Sequence, residues 1–130
     1  MNNNTTTTAY FDIETNGITE WSTLSDLKDL HSMVVIDQDG IGRYRDDNIV
    51  EGLERLKRAD AIIGHNAIGF DAPALWKLFR FRHPNVLDTA VMARFMFPDV
   101  ARDDFKRPEF PKKLIGSHSL KAWGTRIGNY

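Results

Sequence analysis

Two short acidic stretches hold the residues best suited to chemistry, Phe11-Asp12-Ile13-Glu14-Thr15 and His65-Asn66-Ala67-Ile68-Gly69-Phe70-Asp71. The first lies in a strand-like run over residues 9–14, where successive side chains alternate faces, so Asp12 and Glu14 share one side and Phe11 and Ile13 the other. Two carboxylates on one face raise each other's proton affinity unless a cation neutralises them. Hard divalent ions such as Mg2+ or Mn2+ take oxygen ligands of this kind. An edge strand with both acids on a solvated face fits the same pattern.

The second stretch follows a short apolar run at residues 61–64 and ends in Asp71-Ala72-Pro73, which reads as a helix opening. Asp71 then either caps backbone N–H groups or turns toward the first two acids. His65 and Asn66 supply donors for phosphate oxygens, and Phe70 offers a face for a base. The competing reading is an ordinary turn at Asn66 with Phe70 in the core.

These stretches need a scaffold, and hydrophobic periodicity predicts one. Strands are expected at residues 9–14, 32–37 and 41–45, the last two joined by a turn at Gln38-Asp39-Gly40. Asn48 with Glu51 three residues on forms a capping-box pattern before a helix that buries Ile49, Val50, Leu53 and Leu56. Strand 60–64, helix 71–81, strand 86–87 and helix 89–97 follow, with Asp88 read as the cap of the last. A polar, Pro-containing loop over 98–111, carrying Asp103 and Asp104, precedes a helix at 117–127 with Leu120, Trp123 and Ile127 inward. Antiparallel strands followed by alternating helices and strands predict an α/β fold, a mixed sheet with helices on both faces.

Composition bounds the rest. A chain of 130 residues that is 42% hydrophobic predicts one domain, here over residues 9–130, behind a disordered polar leader at residues 1–8. The absence of cysteine excludes disulfides and Cys-zinc sites and accords with a cytoplasmic location. No apolar run reaches membrane-spanning length, so no membrane partner is expected. The net charge of −1 hides an asymmetry: residues 1–100 hold 10 Lys or Arg against 15 Asp or Glu, while residues 101–130 hold 7 against 3. Arg102, Lys106, Arg107, Lys112 and Lys113, interleaved with Phe105 and Phe110, make a stretch able to follow a phosphate backbone or to serve as a solvated loop.

Taken in order, the Phe11–Thr15 strand, Asn66-x-x-x-Phe70-Asp71, Leu87-Asp88-Thr89 and Gly116-Ser117-His118-Ser119-Leu120-Lys121-Ala122-Trp123-Gly124 resemble the proofreading 3′-5′ exonuclease domain of phage family A DNA polymerases. The resemblance implies a ribonuclease H-like fold lacking its final C-terminal elements. It implies that Asp12, Glu14 and Asp71 are catalytic ligands for Mg2+ or Mn2+. It further implies that Thr15, Asn16, Ile18, His65, Asn66 and Phe70 contact a single-stranded or frayed DNA 3′ end. The family's fourth acid belongs to a Tyr-x-x-x-Asp signature that has no match after Trp123. Two readings follow. One is the N-terminal part of a split polymerase, with a second polypeptide carrying the remaining ligand, working in the host cell cytoplasm. The other is a non-catalytic module that grips DNA ends or docks on a polymerase.

Overall fold

Alternation of apolar and polar side chains builds the sheet. In the computed structural model, which describes residues 6–16 and 24–128, strand β1 (Thr8–Thr15) buries Ala9, Phe11 and Ile13 and turns Tyr10, Asp12 and Glu14 to the opposite face. Strand β2 (Leu30–Asp37) runs antiparallel to it and sets buried Val35 and Met33 beside Phe11 and Ile13. Strand β3 (Gly40–Arg45) returns antiparallel after the turn the sequence predicts. Gly40 there takes a left-handed φ of 93°, and the Asp39 N–H donates to the Asp37 carboxylate at 2.8 Å. Strands β4 (Ala61–Gly64) and β5 (Val86–Asp88) add in parallel on the other side of β1. The order β3-β2-β1-β4-β5 puts β1 at the centre of a mixed α/β sheet, the class the element order predicts.

The chain divides into two compact units, Met1–Asp88 and Thr89–Tyr130. In the first, helix α1 (Ile49–Arg58) contributes Ile49, Leu53 and Leu56, and helix α2 (Ala72–Phe79) contributes Ala74 and Leu75, to one core with Ala9, Phe11, Ile13, Met33, Val35 and Ile62. Both helices of this unit therefore share the face opposite the acids of β1. Val50, expected in the core, is 59% exposed, because the stripe Ile49, Leu53, Leu56 leaves it about 100° round the helix. The expected cap also differs. Asn48 Oδ1 accepts the Arg45 N–H at 2.5 Å, closing the short 3₁₀ turn Asp46–Asn48, and makes no side-chain cap on α1. Thr7 and Thr8, read as part of a disordered leader, are ordered instead. Thr8 opens β1, and the Thr7 N–H and hydroxyl donate to Asp60 Oδ2 at 2.7 and 2.9 Å.

In the second unit, helix α3 (Thr89–Met96) is followed by helix α4 (Val100–Asp104), inside the stretch read as a loop. Tertiary pairing explains it. Asp104, 1% exposed, accepts Arg126 Nε at 2.9 Å, Arg126 Nη2 at 2.8 Å and the Gly116 N–H at 2.9 Å. Helix α5 (Leu120–Ile127) starts at Ser119, whose hydroxyl accepts the Ala122 N–H at 3.2 Å. Ala122 packs with Phe110 and Leu114, and Arg126, one turn on, is drawn inward to Asp104. That rotation leaves Leu120 and Ile127 56% and 67% exposed, against the expected inward face. Among the described residues no helix is long and apolar enough to cross a membrane.

Beneath the β2–β3 turn, Arg55 of α1 donates through Nε to Asp37 at 2.7 Å and through Nη1 to the Tyr44 hydroxyl at 3.3 Å, and also reaches the Gly40 carbonyl. The two side chains are 10% and 8% exposed, and the Arg55 hydrogen bond holds the Asp37 carboxyl below its usual range. Removing one partner strands a buried charge. Asp37→Ala should lower stability by about 3–5 kcal/mol, read as a reduced urea midpoint. Glu54→Ala, which loses only an exposed 4.0 Å pair with Lys57, should change it by less than about 1 kcal/mol.

Candidate functional site

The acids of β1 sit where the sheet opens. β4 pairs with β1 only at residues 8–10, so the next stretch of the β1 edge faces the chain that leaves β4. On the other edge, the β1–β2 register shifts between Glu14 and Thr15, an irregularity of the kind that re-aims side chains at functional sites. After Gly64 the chain passes His65, enters a left-handed Asn66 (φ 61°, ψ 25°) and winds through a wide π-helical turn, Ala67–Asp71, into α2. That turn delivers Asp71 to β1.

Asp71 makes no side-chain cap on α2, its own backbone being already helical. It is 5% exposed. Burial, then the charge of Asp12, push its carboxyl up to about 7, against the partial relief of backbone N–H donors that include Ile13, with the Asp88 charge adding to the rise. The Asp12 carboxyl is also raised. Although it is solvent-accessible, surrounding protein removes part of its hydration, and Glu14 repels its ionised form while the Ile13 N–H and His65 favour it. The structure thus couples Asp71 to Asp12 and Asp12 to Glu14.

These are oxygen donors carrying unrelieved like charge, which fits a hard dication better than any soft metal. Among the described residues, however, no three His, Asp or Glu side chains form a group tight enough to hold a metal ion. Without a cation between them, repulsion favours separation of such carboxylates. Asp12, Glu14 and Asp71 are the residues that would hold one.

The remaining predicted site residues fall as follows. His65 is half-buried within electrostatic reach of Asp12. Asn66 is exposed at the head of the turn. Phe70 is half-buried against the core, so only part of its ring faces outward. Thr15 is half-buried at the end of β1. Asn16 donates through Nδ2 to Asp29 at 3.2 Å, and its N–H reaches the Asp29 carbonyl at 3.4 Å. Ile18 lies outside the described residues.

Other acids have different duties. Asp88, 3% exposed, accepts the Asn66 N–H on Oδ1 and the Ile68 N–H on Oδ2, each at 2.9 Å. The sequence reading of Asp88 as a cap missed this role, whose only sequence signal is an acid at a strand end beside the motif-bearing loop. Asp104 is consumed by Arg126, and Asp103 pairs with Lys106 at 3.2 Å. The basic stretch is changed in the same way. Arg102 lies 3.8 Å from Asp99, Arg107 donates to the Arg126 carbonyl at 3.1 Å, and Phe110 is core, while Phe105 stays 73% exposed.

Fold and site together define an α/β protein with a mixed sheet and clustered acids on and beside its middle strand. In sequence the chain is similar to the DNA-directed DNA polymerase of Enterobacteria phage T3, 33% identical over 134 residues that cover 90% of this chain and 18% of the polymerase. It is similar also to the DNA-directed DNA polymerase of Escherichia phage T7, 32% identical over 100 residues, 65% of this chain and 14% of that one. The chain therefore spans less than a fifth of either polymerase. A structure of the family B DNA polymerase from the hyperthermophilic archaeon Pyrobaculum calidifontis matches 56% of this chain and 11% of its own, with a TM-score of 0.43 and 22% identity. No family model matches.

The acidic centre has a pH signature. Asp71 moves from 3.8 to about 7 on folding, so the folded protein keeps a proton that the unfolded chain has lost. The stabilisation is complete below the unfolded value of 3.8 and disappears as pH rises through about 7. Asp71→Asn, which cannot ionise, should exceed the unsubstituted protein in urea-derived stability at about pH 8 by on the order of 3 kcal/mol. It should also vary less from about pH 4 to pH 8. Parallel stability–pH curves for the two proteins would sink the assignment.

Proposed function

We propose that the chain is a metal-dependent 3′-5′ exonuclease module that removes nucleotides from single-stranded or frayed DNA ends. The observation that carries this is the delivery of a buried Asp71 against Asp12, beside Glu14 on the central strand, in a chain similar to phage DNA polymerases. In this reading Asp12, Glu14 and Asp71 hold Mg2+ or Mn2+. When bound, the cation supplies Lewis-acid stabilisation of a phosphodiester and lowers the proton affinity of water.

The chain's own residues bind and orient the strand. The exposed Asn66 amide and the His65 ring supply donors to phosphate and sugar oxygens. Phe70 lends the outer part of its ring to a base, and Thr15, Asn16 and Ile18 meet the terminal nucleotide. Asn16 must exchange its Asp29 contact to do so. Splaying terminal bases costs stacking energy, so frayed or mismatched ends enter more readily than paired ones. DNA 3′ ends are the partner this reading expects, in a host cytoplasm.

One observation favours a second reading, a non-catalytic module that grips DNA ends. Asp88 and Asp104, two buried acids outside the proposed set, are already committed to backbone N–H groups and to Arg126. The deciding experiment measures Mn2+-dependent release of mononucleotides from a 3′-labelled single-stranded oligonucleotide. Turnover should fall by at least about 10²-fold in Asp12→Ala. Equal release by the variant ends the catalytic reading. Binding without release, insensitive to chelator, selects the second.

A further inference from the structure

The turn that carries Asn66 and Asp71 is unusual in two respects. It begins with a non-glycine residue in the left-handed region, a conformation that favours glycine and that asparagine tolerates better than most side chains. It then winds as a π-helical turn, a rare hydrogen-bond spacing that is frequent at functional sites. The turn has backbone hydrogen bonds of its own, Phe70 N–H to the Asn66 carbonyl at 3.0 Å and Ala72 N–H to the Ala67 carbonyl, and an outside group also holds it.

Asp88 is that group. It lies at the end of β5, in register with Gly64, where β4 gives way to the turn. Its two carboxylate oxygens accept two backbone N–H groups of one loop, Asn66 and Ile68, at 2.9 Å each. Charge-assisted bonds of this kind are about twice as strong as neutral ones, and a two-point grip fixes orientation as well as position. The inner side of the turn is shaped to match. A Cβ at Gly69 would stand 2.6 Å from Asn66 Oδ1, so a side chain there would displace the amide. The Asn66 backbone is thus gripped by Asp88 while its amide rests over Gly69, and five residues later the same turn sets Asp71 beside β1.

We infer that Asp88 is a positioning residue that clamps residues 66–68, presenting the Asn66 amide in a preorganised orientation to a nucleic-acid strand. The inference rests on the proposed function for what Asn66 touches, but the clamp stands on geometry that needs no ligand. Its neutral isostere tests it. In Asp88→Asn an amide nitrogen replaces one acceptor, setting a donor against a backbone N–H.

Amide hydrogen exchange of the substituted protein should accelerate at Asn66 and Ile68 by about tenfold or more. Amides of the β1–β2 pairing serve as the folding control and should keep their protection. Affinity for single-stranded oligothymidylate in EDTA should fall by about tenfold in Asp88→Asn, yet by less than about twofold when the change is made on an Asn66→Ala background. That non-additivity distinguishes a residue acting through Asn66 from one that merely supports the fold. Unchanged exchange at Asn66 and Ile68, or additive losses of affinity, would overturn the inference. Loss of β1–β2 protection would equally overturn it, by making Asp88 a general support of the sheet. If the unsubstituted protein has no affinity for oligothymidylate, the proposed function fails and the exchange result alone decides the clamp.

Discussion

Burial of the Asp71 carboxylate against a strand that already bears two acids is the constraint on which the rest of this structure turns. Water would solvate that charge better than the protein does, and the nearest side-chain charges, Asp12 and Asp88, have its own sign. Backbone N–H groups, Ile13 among them, offset part of the cost. The geometry that permits this is set by the sheet. A β4 that pairs with only three residues of β1 leaves the strand edge open, and a wide turn brings α2 back to fill the gap. A longer pairing would have used the Ile13 N–H in the ladder and left Asp71 nowhere to go.

The chain treats its buried acids in three distinct ways. Asp37 and Asp104 each meet an arginine, and both carboxyls are held below their usual range. Asp88 is spread over two backbone donors. Asp71 has its carboxyl pushed up, next to another acid with the same tendency. Arginine pairs and N–H cradles satisfy a carboxylate internally. Two raised carboxyls in contact with each other's field are satisfied only by protons or by a cation.

The sheet was legible in the sequence because its period is short and local. Alternation over residues 9–14 put Asp12 and Glu14 on one face, and the Asp39-Gly40 pair announced the turn. What escaped depended on partners distant in sequence. The pairing of Asp104 with Arg126 spans 22 residues and turns a Pro-flanked polar stretch into a helix. The same pair rotates α5 so that Ala122 and Arg126 face inward and Leu120 and Ile127 do not, a result that an apolar count along the helix cannot give. Asn48 looked like a cap for the helix ahead of it but serves the turn behind it, since the Arg45 N–H reaches its side chain first. At the site, the residue types of the acidic set were readable, whereas the grip of Asp88 on the Asn66 turn existed only once β5 lay beside β4.

The energetics of the centre also connect its two possible occupants. A proton on Asp71 and a dication near Asp12 relieve the same repulsion, so they compete for the same oxygens. With the Asp71 carboxyl pushed up to about 7, a cation held at these oxygens would displace the proton, so its binding would weaken as pH falls. The three acids are coupled in pairs and do not form a three-ligand group among the described residues, so under the proposed reading their side chains would have to draw together to hold a cation. The β1 backbone carries two of these acids, Asp12 and Glu14, and the turn held by Asp88 carries the third, Asp71, so the backbone fixes where each side chain starts.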